Sequence, residues 1–118
     1  MEFVAFIGAD KENWGQVTAL LNRLEYEKCI LVMNSNADGF PLPEKCKAIE
    51  IKPDMPLLAM KDYLIEKLKP LLSGDFEVSL SIASGNGKEH MALVSALLNV
   101  PVGVKMVVYT KEGVQFLT

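Results

Sequence analysis

Five consecutive residues, Ser84-Gly85-Asn86-Gly87-Lys88, bring together a hydroxyl, a carboxamide, an ammonium group and two glycines that let a ligand approach the backbone closely. That is the chemistry of a phosphate site. Upstream, Phe76, Val78, Leu80 and Ile82 alternate with Glu77, Ser79 and Ser81, which is the period of a strand. Downstream, Met91, Val94, Leu97 and Leu98 recur at helical spacing, so a helix begins near Gly87 with its free N–H groups facing back over the turn. Those amides, the positive end of the helix dipole and the Lys88 ammonium converge on one spot. Strand-to-helix turns also use glycine, asparagine and serine for geometry alone, and a Gly-x-Gly-Lys run by itself does not separate the two readings.

The elements that must hold this turn are legible along the rest of the chain. Residues 2–8, EFVAFIG, form a near-continuous apolar run, as expected of a central strand covered on both faces. Asp10 is placed to cap a helix over residues 12–25, whose inner face carries Trp14, Val17, Leu21 and Leu24. Residues 28–34, KCILVMN, read as a second buried strand, followed by a long irregular loop over 35–45 in which two prolines and Asp38-Gly39 exclude regular structure. A short third strand covers 47–52. Asp54 then caps a second helix with Met55 and Pro56 in its first turn and a buried stripe of Leu57, Met60, Leu64, Leu68 and Leu71, ended by Ser73-Gly74-Asp75. After the third helix Val100-Pro101 breaks the pattern, and strands at 103–110 and 114–117 are joined as a hairpin by Lys111-Glu112-Gly113.

Interleaving of this kind predicts an α/β doubly wound, mainly parallel sheet of order 3-2-1-4-5-6 with an antiparallel last strand. Ligands of such sheets bind beyond the carboxyl ends of the strands where the winding reverses, here between strands one and four. Gly8-Ala9-Asp10 follows the first of these strands and Ser84 to Lys88 the second, so topology and local chemistry indicate the same cleft. The candidate ligand-binding set is Gly8, Ala9 and Asp10, Asn34 and Ser35 at the end of the second strand, and Ser84, Gly85, Asn86, Gly87 and Lys88.

Composition bounds the reading. A chain of 118 residues makes one domain over 1–118, with half its residues apolar and a formal charge of −3. That balance argues against a general duplex-DNA binder, which shows a basic face, so an anionic ligand must be met locally. The first residues lack the basic region and cleavage pattern of a signal peptide, and no apolar run has the length of a membrane helix, which predicts a cytoplasmic protein. Cys29 and Cys46 lack CxxC or Cys/His spacing and read as small buried thiols; a disulfide between them requires both that the second and third strands be neighbours and that the source be a hyperthermophile, because cytosolic thiols are normally reduced. His90 is the only histidine and makes no multi-histidine metal site. No metal and no cofactor is expected. The first turn lacks GxGxxG, and GNGK lacks both the first glycine of GxxxxGK[ST] and the hydroxyl residue after lysine, which sets aside dinucleotide folds and the P-loop.

Across essentially the whole chain this arrangement resembles the CARF domains, the ligand-sensing Rossmann-like domains of CRISPR-associated proteins. Their TGGTK-like turn after the fourth strand is matched by Ser84 for the threonine hydroxyl, Gly85 for the first glycine and Lys88 for the lysine. Asn86 takes the place of the second glycine and Gly87 of the second threonine. Met91 lies one position after the usual helix methionine, where His90 stands, and Ile82 occupies a position that often carries an acid. The resemblance implies a homodimer that senses a cyclic oligoadenylate across its twofold axis. It also implies a possible second activity, that of a ring nuclease, in which a ribose 2′-hydroxyl attacks its neighbouring phosphate without a metal. Lys88 then stabilises the phosphorane while Ser84 or the first-turn residues position the sugar. A third reading is a small α/β regulatory protein that binds another phosphorylated ligand.

Overall fold

The computed structural model describes residues 2–72, 74–100 and 102–118. The strands are β1 (Glu2–Ile7), β2 (Lys28–Asn34), β3 (Cys46–Ile51), β4 (Glu77–Ser81), β5 (Gly103–Thr110) and β6 (Gly113–Phe116), and the helices are α1 (Trp14–Arg23), α2 (Leu57–Leu72) and α3 (Gly87–Asn99). They form one six-stranded sheet of order β3-β2-β1-β4-β5-β6, parallel throughout except for the antiparallel β5–β6 hairpin. This is a Rossmann-like sheet with the expected order, and the winding reverses between β1 and β4. Among the described residues no helix is long and apolar enough to cross a membrane. Ser73 and Pro101, expected at two helix ends, lie outside the described residues.

Alternation along each strand sorts the core into two layers. Val4, Phe6, Ile30, Val32, Val78 and Leu80 face α2 and α3. Phe3, Ala5, Ile7, Cys29, Leu31 and Val107 face α1. Among the described residues, α1 makes its main sheet contacts with β5 and β1 and leaves the outer part of this face over β2 and β3 to other segments. The 35–45 loop packs there, burying Ala37 and Phe40, and Phe40 packs edge-to-face on Trp14 with ring centroids 5.4 Å apart.

Several local expectations change. Phe76 is 94% exposed and lies outside β4, contributing only its carbonyl, which accepts the Gly103 amide. Ser79 and Ser81, read as a polar face, are buried, because β4 is central and both of its faces are covered. The first helix starts as a single 3-10 turn at Lys11–Asn13, and its buried residues are Val17 and Leu20, with Leu21 and Leu24 only partly covered. The second helix starts at Leu57, after Pro56, so Asp54 stands too far upstream to cap it. Its stripe is Met60, Leu64, Leu68 and Leu72, with Leu72 in the place expected of Leu71. On α3, Met91 and Leu98 are 60% and 68% exposed while Ala92, Leu93, Ala96 and Leu97 are buried. This helix packs on both the sheet and α2, and alanine lets the helices approach closely where a longer side chain would hold them apart.

Candidate functional site

The switch point is stitched together by side chains 74 positions apart in sequence. The Ser84 hydroxyl donates to Asp10 Oδ1 at 2.7 Å and accepts the Gly8 amide at 2.8 Å. The Gly85 amide also donates to Asp10 Oδ1, at 2.9 Å, while Asn13 Nδ2 donates to Asp10 Oδ2 at 2.7 Å. Asp10 therefore does not cap its own helix: it makes no side-chain cap bond there and instead accepts from the opposite turn. Partial burial pushes the Asp10 carboxyl up, but the hydrogen bonds from Asn13, Ser84 and the Gly85 amide outweigh it and hold its pKa below the ordinary 3.8.

Contact this close explains two glycines. A Cβ on Gly8 would stand 2.5 Å from Asp10 Oδ1 and 2.7 Å from the Gly85 Cα, so any side chain there would force the turns apart. Gly85 has a φ of +107°, and a Cβ on it would come within 2.7 Å of the Phe6 ring and 3.0 Å of His90 Nε2. Gly85 thus serves packing rather than ligand approach. His90, the only histidine, braces the same turn. Its Nε2 lies 2.7 Å from the Ser84 carbonyl, which can only accept, so this nitrogen carries the proton.

Helix α3 is capped by its own sequence. Asn86 and Glu89 form a capping box: the Glu89 amide donates to Asn86 Oδ1 at 2.9 Å, and the Asn86 amide donates to Glu89 Oε1 at 3.0 Å. Glu89 is buried, and its Oε2 accepts from Asn34 Nδ2 at 2.7 Å. Asn34 Oδ1 in turn accepts the Asn36 amide at 2.8 Å, so the end of β2 and the start of the 35–45 loop are tied to the head of α3.

Between these groups lies a cleft of about 210 Å³ lined by Ala9, Asp10, Asn34, Gly85, Asn86 and Glu89. Five of the ten candidate binding residues, Ala9, Asp10, Asn34, Gly85 and Asn86, therefore come together on its wall. Gly8 and Ser84 are buried beneath it, and the Ser84 hydrogen is committed to Asp10. Ser35 lies outside the lining, with its amide bound to the Ile51 carbonyl. Gly87 is exposed, with open space where a Cβ would stand. Lys88 points away from the cleft: its Nζ donates to the Pro53 carbonyl at 2.9 Å in an exposed contact.

Glu89 is the lining residue that the sequence analysis missed. Its signal was present, since an Asn with a Glu three residues later at a strand-to-helix junction marks a capping box. The cleft consequently has acceptors in Asp10 and Glu89 and a donor in the Asn86 carboxamide, and next to Asn86 in the chain, outside the lining, come the amides of Gly87 and Lys88. As the first two residues of α3 past its cap, Gly87 and Lys88 have no carbonyl four residues back within the helix for their amides. His90 meets the Ser84 carbonyl rather than its hydroxyl, so the lone histidine forms no Ser–His pair, and the base that the Ser84 hydroxyl meets is the Asp10 carboxylate. Among the described residues no group of three or more histidine, cysteine, aspartate or glutamate side chains could hold a metal ion. Comparison with protein-family models and with curated proteins found no match to this chain.

Proposed function

We propose that the chain is a CARF-like nucleotide-sensing module that binds a cyclic oligoadenylate at the switch-point cleft, as a homodimer. The observation that carries this reading is a cleft lined by Asp10, Asn86 and Glu89 where the winding of the sheet reverses, with the N-terminus of α3 beginning at Asn86. The amides of Gly87 and Lys88 at the positive end of α3 suit a phosphate. Asp10 and Glu89 suit the hydrogen-bond donors that a nucleotide presents beside its phosphate, namely ribose hydroxyls and the adenine amino group. A bare inorganic anion would meet the carboxylates unfavourably, which favours a nucleotide over free phosphate. Lys88 joins the phosphate by releasing the Pro53 carbonyl, an exposed bond of small net worth.

The homodimer is part of the same proposal. Met91 and Leu98 stand two turns apart on one side of α3, both more than half exposed, and the helix begins at the cleft. Pairing along α3 would set two clefts about a twofold axis, matching a symmetric cyclic ligand. Sensing fits the site better than cleavage, because Ser84 is buried and its proton is held by Asp10.

The test is incubation with cyclic tetra- and hexa-adenylate, reading thermal stabilisation and product formation in parallel. The sensor reading expects stabilisation without products. Products would move the assignment to a ring nuclease, and neither effect would leave a regulator of another phosphorylated ligand.

A further inference from the structure

Cys29 and Cys46 lie outside the cleft and take no part in the reading above. Cys29 is the second residue of β2 and Cys46 the first of β3, and in the parallel register of these neighbours the two stand directly opposite each other. Both side chains enter the same apolar layer as Leu31, Ala37 and Phe40. Both are free thiols, 0% and 7% exposed. Neighbouring strands run roughly 4.8 Å apart, which falls inside the Cα separation of about 4.4–6.8 Å that a disulfide spans.

We infer that Cys29 and Cys46 form a dithiol–disulfide pair whose oxidation closes a covalent ring across β2 and β3 without rearranging the sheet. The ring encloses most of β2, Asn34 and the whole 35–45 loop. Asn34 holds Glu89 Oε2, so the bond fixes the segment that positions one wall of the cleft. The oxidant is a low-molecular-weight disulfide. The thiolate of one cysteine attacks a reagent sulfur and releases one reagent thiol, and the other cysteine then attacks the mixed disulfide and expels the second. Two protons leave the protein thiols and two electrons reduce the reagent.

Cys46 reacts first. It is the more exposed of the two and sits at the start of the edge strand β3, the outermost of the sheet, where opening costs least. Burial raises both thiol pKa values, which keeps the closed fold unreactive and makes oxidation wait for β3 to open.

The experiment treats the reduced native protein with oxidised glutathione, then counts thiols after denaturation, records the intact mass and maps the cross-linked peptide. Both thiols should disappear together with the loss of two hydrogen atoms, no retained glutathione, and one peptide joining Cys29 to Cys46. The oxidised form should melt about 10 °C above the reduced form, as closing a loop of this size implies. Cys46→Ala should show no intramolecular bond and no such rise. A stable glutathione adduct, a disulfide between chains, two intact thiols after refolding in the oxidant, or equal melting temperatures for the two redox forms would overturn the inference.

Discussion

Asp10 Oδ1 lies 2.7 Å from the Ser84 hydroxyl and 2.9 Å from the Gly85 amide, so one carboxylate oxygen joins the turn after β1 to the turn after β4. The cleft wall depends on that contact. Replacing Asp10 with Asn keeps one acceptor but turns a donor toward Asn13 Nδ2, and at neutral pH we expect a loss of about 1–2 kcal/mol of stability. The carboxyl has a folded-state pKa below its ordinary value, so its contribution is present above that value and is lost as pH falls through the folded pKa. Urea melts of the native protein and Asp10→Asn from pH 7 to pH 2 should therefore converge at the acid end. A constant difference across the range would show that ionisation of Asp10 is not what holds the turns together.

That bond also marks the limit of what was readable in advance. Sheet order and helix count followed from periodicity, and the location of the cleft followed from the reversal of winding between β1 and β4. An Asp shortly before a helix reads as a cap, and nothing local to Asp10 says that its partner lies 74 residues away. His90 was hidden differently: its partner is only six residues back, but it is the backbone carbonyl of Ser84, which no side-chain pattern announces. Ser79 and Ser81 misled in another way: alternation describes a strand with one wet face, and β4 has none. Met91 and Leu98 satisfied helical spacing as well as the truly buried residues did, but the contact with α2 selected the alanine side.

The glycines of the turn should separate cleanly by mutation. Gly85→Ala places a side chain at φ +107° against Phe6 and His90, and we expect it to cost about 2 kcal/mol or more. Gly87→Ala meets open space at the first helical position and should be neutral or gain about 0.5 kcal/mol. Thermal denaturation of the two variants side by side checks the assignment; the reverse order of stabilities would mean that the β4–α3 turn has a different backbone path.

Lys88→Ala should leave the melting temperature nearly unchanged, because its bond to the Pro53 carbonyl is exposed and is worth at most about 0.5 kcal/mol. Affinity for a cyclic oligoadenylate should fall by roughly tenfold or more if the ammonium turns to a phosphate. Calorimetric titration decides it, and equal affinities would remove Lys88 from the site.

For the dimer, Met91→Glu and Leu98→Glu place charges on the exposed side of α3 without touching its buried residues. Light scattering at micromolar concentration should give a dimer mass for the native protein and a monomer mass for the double variant, with circular dichroism unchanged. A native monomer would remove the dimer from the proposal, and a double variant that stays dimeric would move the interface to another surface.

The most direct test of the central claim is calorimetric titration of native and Gly87→Asp protein with cyclic tetra- and hexa-adenylate. An aspartate at the first position of α3 has room for its side chain and suits the helix dipole, so the fold is kept, while its charge stands where the phosphate is proposed to bind. The native protein should bind one cyclic ligand per two chains, and the variant should bind at least about tenfold more weakly, a difference of 1.4 kcal/mol or more. No binding of either ligand by the native protein, or equal affinities for native and variant, would contradict the account.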